Sequence, residues 1–269
     1  MDIVLAVALF VVGAVMGSFV CCEAWRLHLS EKKRAVKSKW SVCLKCGYRL
    51  AWYDNIPVVS WMVLRGKCRK CGKGIGWWEV LGEVGIGVVF VVFGWWFWAG
   101  FDGCASAVEM TRYFLLAGMV MAMLVGMAVL FISDARWGRL PVRYLTFCVI
   151  CAILFVTTRE WGVFIVAQIW DYLGALLVLP VLYYLLYRLS SERWVGSGDW
   201  LLALPMALVL GDFWLAFFCV FLANVMGCLV GLPMMIAKKK NTNMRLAFGP
   251  FLIVAFMIVF LLQAQLSIF

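Results

Sequence analysis

The stretch IVLAVALFVVGAVMGSFVCC, Ile3 to Cys22, contains no charged residue and decides the class of fold. A helix of about 20 residues rises about 30 Å, which matches the hydrocarbon core of a bilayer. The stretch is rather long for the apolar part of a signal peptide, and no A-x-A-like cleavage pattern follows it. We therefore expect a retained transmembrane helix.

Seven further charge-free runs follow this first one. They are Val84 to Phe101, Tyr113 to Ser133, Tyr144 to Thr158, Tyr172 to Tyr187, Trp200 to Gly211, Phe213 to Ala237 and Leu246 to Phe269. The chain is 66% hydrophobic and only 14% charged, more apolar than a soluble core can use. The runs that begin at Tyr144, Tyr172 and Trp200 are short for a membrane span. The sequence nevertheless predicts an all-α polytopic membrane protein with about eight transmembrane helices.

The basic residues predict how these helices are oriented. If there are eight spans, 22 of the 24 Lys and Arg residues fall on one side of the membrane, and only Arg112 and Arg159 fall on the other. The positive-inside rule makes the basic side cytoplasmic and puts both termini outside. The net charge of +10 is then an orientation signal that also attracts anionic lipid headgroups. Nothing beyond charge indicates nucleic acid, so no such partner is predicted.

The predicted cytoplasmic loop at 23–80 contains two CxxC pairs, CLKC at Cys43 to Cys46 and CRKC at Cys68 to Cys71. Two such pairs can supply four thiolates to one tetrahedral zinc ion. A reducing compartment disfavours disulfides, which leaves four free thiols or a redox pair as the alternative. We predict a zinc-binding loop domain at 23–80, between a first helix at 1–22 and a transmembrane core at 81–269.

Two carboxylates stand out among the acidic residues. Asp134, in LFISDARWGRLP, and Asp199, in GSGDW, fall at the predicted cytoplasmic ends of the third and sixth spans. Two carboxylates a few ångströms apart share a proton, so one acts as a base on water while the other polarises a carbonyl. Gly196 and Gly198 permit backbone angles forbidden to other residues and leave room for an extended substrate. Glu83, at the start of the second span, is expected to have a packing partner.

Other interpretations of these carboxylates stay open. Asp199 fits a helix N-cap, and Asp134 fits a charge solvated beside neighbouring arginines. A proton-coupled transporter would use Asp134, Asp171 and Asp199 as a relay. The single histidine, His28, excludes an HExxH zinc protease, and no GxSxG motif is present.

Together these motifs resemble the type IV prepilin peptidases, GxGD intramembrane aspartyl proteases of bacterial inner membranes. The similar segments are GSF at Gly17 to Phe19 with Arg26, WYDNIPVVSWMVLRGKCRKCG at Trp52 to Gly72, Glu83, the DxxxxxLP match at Asp134 to Pro141, and the GxGD match at Gly196 to Asp199. The resemblance covers nearly the whole chain.

The resemblance implies cleavage of the basic leader of prepilins or pseudopilins at the cytoplasmic face of the membrane. It assigns Asp134 and Asp199 as the catalytic pair, with Gly196, Gly198 and Glu83 in supporting positions. The loop cysteines would be the zinc ligands. Many members then methylate the new N-terminus with S-adenosylmethionine, so zinc and this cofactor are expected. The chain departs from the family pattern at Cys21, Val142, Leu201 and Trp78. A non-catalytic pilus or secretion assembly protein is therefore a further alternative.

Overall fold

The computed structural model describes residues 2–31, 40–43, 45–100, 106–159, 166–190, 196–237 and 247–266. The chain divides into two compact units, Met1–Ala105 and Ser106–Phe269. The predicted all-α membrane fold, with the cysteine-rich loop between the first two long helices, is confirmed.

The first unit is built on two long helices that pack against each other. Its elements are α1 (Ile3–Glu31), a 3₁₀ turn (Trp52–Asn55), α2 (Val59–Val63) and α3 (Trp77–Gly100). A Cβ atom on Gly17 would lie 2.6 Å from the Glu83 Cα, and one on Gly13 would lie 2.9 Å from the Gly87 Cα. The two backbones therefore touch at glycines, the small-residue packing typical of membrane helices.

The second unit is a bundle of helices. They are α4 (Ala107–Trp137), α5 (Val142–Arg159), α6 (Val166–Leu176), α7 (Leu182–Ser190), α8 (Ser197–Leu210), α9 (Phe213–Ala237) and α10 (Gly249–Leu266). Helices α4 and α5 pack closely where a Cβ on Gly126 would meet the Cys148 Sγ at 2.8 Å. The Arg112 guanidinium donates to the Arg159 carbonyl, so these two arginines lie together at one end of the α4–α5 pair. Asp134 lies near the opposite end of α4.

Helix ends follow signals that are visible in the sequence. The Ser106 side chain caps α4 and accepts from the Glu109 N–H, while the Glu109 carboxylate accepts from the Ser106 N–H. Gly138 ends α4 and Gly211 ends α8, both in the left-handed conformation that glycine tolerates. Asp212 then caps α9 by accepting from the Leu215 N–H at 2.8 Å. The connection between α8 and α9 is therefore short and fixed at both ends.

A π-helical turn, Leu177–Val181, joins α6 to α7. It contains Pro180, which has no N–H to donate and crowds the preceding helical turn. The helical path continues on both sides, so Ile169–Leu189 forms one apolar segment long enough to cross a membrane.

Six helical segments of the described chain are long and apolar enough to span a bilayer. They are Ile3–Leu29, Trp77–Ala99, Ala107–Trp137, Val142–Arg159, Ile169–Leu189 and Phe213–Pro233. Two further apolar segments, Ser197–Leu210 and Gly249–Gln263, are shorter. Each of the eight predicted runs thus coincides with a helical segment, and of the three runs judged short only the one at Trp200 gives a helix below spanning length.

Candidate functional site

The four loop cysteines form one cluster. The Sγ atoms of Cys43, Cys46, Cys68 and Cys71 all lie within 4.8 Å of one another. The Cys43–Cys71 pair is 3.9 Å apart and the Cys46–Cys68 pair 4.0 Å. A tetrahedral zinc ion with Zn–S bonds of about 2.3 Å requires S–S edges of about 3.8 Å. The thiols therefore fit a Cys₄ zinc site.

Two similar turns build this cluster. In the first, the Gly47 N–H donates to the Cys43 carbonyl at 2.9 Å, and in the second the Gly72 N–H donates to the Cys68 carbonyl at the same distance. Both glycines have positive φ, 71° and 65°, which a side chain would strain. The CxxCG pattern thus turns the chain tightly enough for both sulfurs of each pair to face one point.

The pKa values of two of these thiols, Cys68 and Cys46, shift in opposite directions. Backbone N–H groups of Cys71 and Lys70 donate to Cys68 and lower its pKa to about 6. The Tyr48 backbone N–H lowers the pKa of Cys46, but burial and the other three thiols outweigh it and raise the value to about 11. Metal ligands must be thiolates, so zinc binding would release protons from this cluster.

An ion pair between a partly exposed arginine and a buried aspartate supports the cysteine loop. The Arg69 Nε lies 2.9 Å from the Asp54 Oδ1, and the Asp54 side chain is 1% exposed. The other Asp54 oxygen accepts from the Ala51 N–H at 3.3 Å. The hydrogen bond to Asp54 raises the pKa of Arg69. Since Arg69 lies inside the second CxxC, this pair links the 3₁₀ turn to the cysteine cluster.

Glu83 has the packing partner that its position predicted. Its Oε2 accepts from the Val58 backbone N–H at 2.8 Å. Val58 has φ of 59°, a strained value for a β-branched residue. The carboxylate on α3 thus holds the start of α2 in a conformation that Val58 would otherwise avoid. Glu83 belongs to the first unit and the two candidate catalytic aspartates to the second.

Asp134 is buried near the end of α4, with 6% of its surface exposed. Its Oδ2 accepts from the Gly249 N–H at 3.0 Å. Gly249 begins α10, and the first N–H groups of a helix have no partner within the helix. A Cβ on Gly249 would lie 2.7 Å from the same oxygen, so this approach requires glycine. The interpretation of Asp134 as a solvated loop charge is therefore wrong.

Asp199 is equally buried, at 6% exposed, in the first turn of α8. Gly196 is the N-cap, and its N–H donates to the Asp199 Oδ2 at 2.9 Å. Asp199 is therefore not the N-cap residue itself. It lies at the third position of the helix, and its side chain caps the helix start by accepting from the N–H of the N-cap residue.

Neither glycine of the GxGD motif needs an unusual backbone angle. Gly196 has φ of −76°, and Gly198 is absent from the positive-φ residues of the described chain. The expectation of forbidden angles is therefore wrong. Gly198 is instead needed for space, because a Cβ there would meet the Leu140 Cδ1 at 2.7 Å.

This contact brings the two aspartate motifs together. Leu140 belongs to the Asp134 to Pro141 motif, and Gly198 directly precedes Asp199. The Asp134 and Asp199 carboxylates are close enough to interact electrostatically. Among the described residues no hydrogen bond reaches the Oδ1 atom of either one. Two buried carboxylates, each held by one backbone N–H and each with a free oxygen, can bind and activate a water molecule.

Sequence reasoning missed Gly249 and Tyr183. The GP dipeptide at Gly249 does indicate a helix start, but nothing local pairs it with Asp134. Tyr183 is 2% exposed and interacts with Asp199, but it lies in an apolar run that gives no sign of a functional residue.

Asp171, the third carboxylate of the transporter interpretation, is exposed on α6. Its neighbour Tyr172 lies against Gly211, at the far end of α8 from Asp199.

Residues 11–97 match the family model described as "Bacterial Peptidase A24 N-terminal domain". Several proteins named "Prepilin leader peptidase/N-methyltransferase" are similar to most of the chain. The one from Myxococcus xanthus (strain DK1622) is 28% identical over 236 residues, 87% of this chain and 64% of the relative. The one from Stutzerimonas stutzeri is 26% identical over 84% of this chain and 73% of the relative.

A third relative, from Pseudomonas aeruginosa PAO1, is 26% identical over 84% of this chain and 73% of its own length. The match to the Myxococcus relative covers 64% of that protein, so this chain spans less than two thirds of its length. No solved structure matches the chain significantly. The names of these relatives and the family-model match at residues 11–97 confirm the resemblance to the prepilin peptidases.

Proposed function

We propose that this chain is an intramembrane aspartyl endopeptidase that removes the basic leader of a prepilin or pseudopilin at the cytoplasmic face of the bacterial inner membrane. Asp134 and Asp199 are its catalytic pair. The basic loops lie in the cytoplasm and both termini lie outside. A prepilin is a membrane helix whose leader protrudes into the cytoplasm, so its scissile bond would arrive at the depth of these carboxylates.

One observation carries the proposal, namely the meeting of the two aspartate motifs at one end of the second unit. Leu140 packs on Gly198, and both carboxylates are buried with one oxygen free. Burying two ionised carboxylates together is costly, so one proton shared between them is the favourable state. A pair in this state has both the base and the acid that amide hydrolysis needs.

The reaction balances with water as the only co-reactant. The ionised carboxylate takes a proton from water as the water oxygen bonds to the scissile carbonyl carbon, and the protonated carboxyl gives its proton to the carbonyl oxygen. When the tetrahedral intermediate collapses, the C–N bond breaks. The leaving nitrogen takes a proton from the first carboxyl, and the second carboxylate recovers its own from the intermediate. The pair returns to its starting state.

The cysteine cluster supports zinc as a structural ion. Four sulfurs fill a tetrahedral shell and leave no position for a substrate or water, so zinc would order the loop and take no part in hydrolysis. N-methylation of the new N-terminus with S-adenosylmethionine is proposed from the names of the relatives. Among the described residues we assign no binding site for this cofactor.

Leader removal is tested with purified protein in lipid vesicles and a candidate prepilin that carries an N-terminal tag. Wild-type protein is expected to release the tagged leader, and Asp134→Asn and Asp199→Asn are each expected to abolish release while zinc content and helix content stay unchanged. Mass spectrometry of the product N-terminus reports methylation in the same reaction. Processing by either aspartate variant at the wild-type rate would remove that residue from the mechanism.

The transporter alternative receives less support. A proton relay needs carboxylates that follow one buried path, whereas Asp171 is exposed and lies beside the end of α8 remote from Asp199. Proton uptake into vesicles without any prepilin would restore that alternative.

A further inference from the structure

Tyr183 presents a buried hydroxyl that makes no hydrogen bond. Its side chain is 2% exposed, and within the described residues its Oη has no hydrogen-bond partner. Leaving a buried hydroxyl unpaired costs free energy, and most buried polar atoms in proteins are paired. A buried, unpaired hydroxyl next to a candidate reaction centre indicates that water or substrate supplies its hydrogen-bond partner.

The ring of Tyr183 packs beside the start of α10. Its centroid is 5.6 Å from that of Phe248, the residue before the glycine that donates to Asp134. Its hydroxyl interacts electrostatically with Asp199. The next residue, Tyr184, stacks edge-on against Trp200 with centroids 5.5 Å apart. Consecutive tyrosines of α7 therefore interact with the start of α8, Tyr184 through Trp200 and Tyr183 through Asp199.

The other groups that face this hydroxyl come from α9. Cys219 is fully buried, and the Asn224 side chain lies within reach of the hydroxyl but forms no hydrogen bond of normal geometry with it. The Asn224 amide already donates to the Val220 carbonyl at 2.8 Å. Among the described groups that interact with the Tyr183 hydroxyl, Asp199 is therefore the only carboxylate.

We propose that Tyr183 is a positioning residue that makes Asp199 the ionised member of the aspartate pair. Its hydroxyl donates a hydrogen bond to Asp199, directly or through one bound water, when the site is loaded. This inference rests on the proposed protease function and adds what that function leaves open, namely which aspartate is the base. The backbone donors alone do not decide the assignment, since each carboxylate accepts one.

A neutral O–H donor stabilises a carboxylate more than a carboxylic acid. Asp199 then takes the proton from water, and Asp134 keeps the shared proton and gives it to the carbonyl oxygen. Tyr183 itself neither gains nor loses a proton in the cycle. Its loss should therefore slow the chemical step and leave substrate binding nearly intact.

The test compares Tyr183→Phe with Tyr184→Phe, which deletes the neighbouring hydroxyl and keeps the ring on Trp200. Both proteins are assayed in vesicles for leader release as a function of pH and substrate concentration. For Tyr183→Phe we expect kcat to fall about 10- to 100-fold with KM nearly unchanged, as for the loss of a hydrogen bond to a charged group. The acid limb of its kcat–pH profile should move to higher pH, because a carboxylate without its donor is harder to ionise. Tyr184→Phe should match wild type.

A second variant distinguishes the loss of the hydroxyl from a folding defect. Replacing Tyr183 by 3-fluorotyrosine keeps both the ring and the hydroxyl, and it should restore most of the activity lost in Tyr183→Phe. Equal kcat and equal pH profiles for Tyr183→Phe and Tyr184→Phe would overturn the inference, as would no recovery with fluorotyrosine. If wild type cleaves and Asp199→Asn does not, such a result removes only the role of Tyr183. If Asp199→Asn cleaves normally, the proposed function itself has failed.

Discussion

Replacing Gly249 by alanine should displace the Asp134 carboxylate. The added Cβ would lie 2.7 Å from the Asp134 Oδ2, whereas ordinary contacts begin at 3.4 Å. The carboxylate must therefore retreat by about 0.7 Å, the difference between these distances. The Gly249 N–H to Oδ2 distance of 3.0 Å would then approach about 3.7 Å, too long for a hydrogen bond.

Two costs follow from this displacement. A lost hydrogen bond to a charged group is worth about 1.5–3 kcal/mol, and a misplacement of about 1 Å can cost about 100-fold in rate. We therefore expect Gly249→Ala to lower kcat for leader release by about 10- to 100-fold. The assay is single-turnover cleavage of a tagged prepilin in vesicles, with circular dichroism to verify helix content.

Gly118→Ala is the matched control. Gly118 lies on the same helix as Asp134, and apart from the backbone of its own helix a Cβ there would meet no atom of the described residues within 4 Å. Alanine is the better helix former, so this variant should keep the wild-type rate. A Gly249→Ala protein that cleaves as fast as Gly118→Ala, while Asp134→Asn is inactive, would refute the role assigned to the start of α10.

Three further outcomes are expected. Replacing Cys71 by Ser should reduce bound zinc from about one ion per chain to almost none and expose the loop to protease, as measured by metal analysis and limited proteolysis; folded, protease-resistant protein without metal would contradict the zinc site. Glu83→Ala should leave the Val58 N–H without its acceptor and speed digestion of the loop by an added protease. An unchanged rate of digestion would show that the strained turn is stable without Glu83. Gly198→Ala should push Leu140 away from the start of α8 and lower kcat by about tenfold or more, and an unaffected rate would show that this contact is not needed.

Helices were predictable here because a bilayer leaves few choices. Each backbone N–H and C=O must be paired within the chain, so every long charge-free run becomes a helix, as at Ile3–Glu31 and Phe213–Ala237. The ends were also visible, in Ser106 and Gly138. The cysteine cluster was predictable from the spacing because each CxxCG turn brings its own two sulfurs together locally.

Contacts between distant segments were not predictable. Gly249 meets Asp134 across 115 positions, and only the packing of α10 against α4 brings them together. Tyr183 carries no local signal, because an aromatic residue in an apolar run is ordinary in a membrane helix. The strained φ of Val58 runs against the preference of its own side chain, and only the Glu83 carboxylate accounts for it.

The distance along the chain between Asp134 and Gly249 has a consequence for biosynthesis. Translation proceeds from the N-terminus, so α4 and α8 are made well before the backbone group that orients the first aspartate. A nascent chain still attached to the ribosome would hold both acids but lack the hydrogen bond that fixes one of them. The arrangement of the aspartate pair is therefore complete only after α10 has been made and has packed against α4.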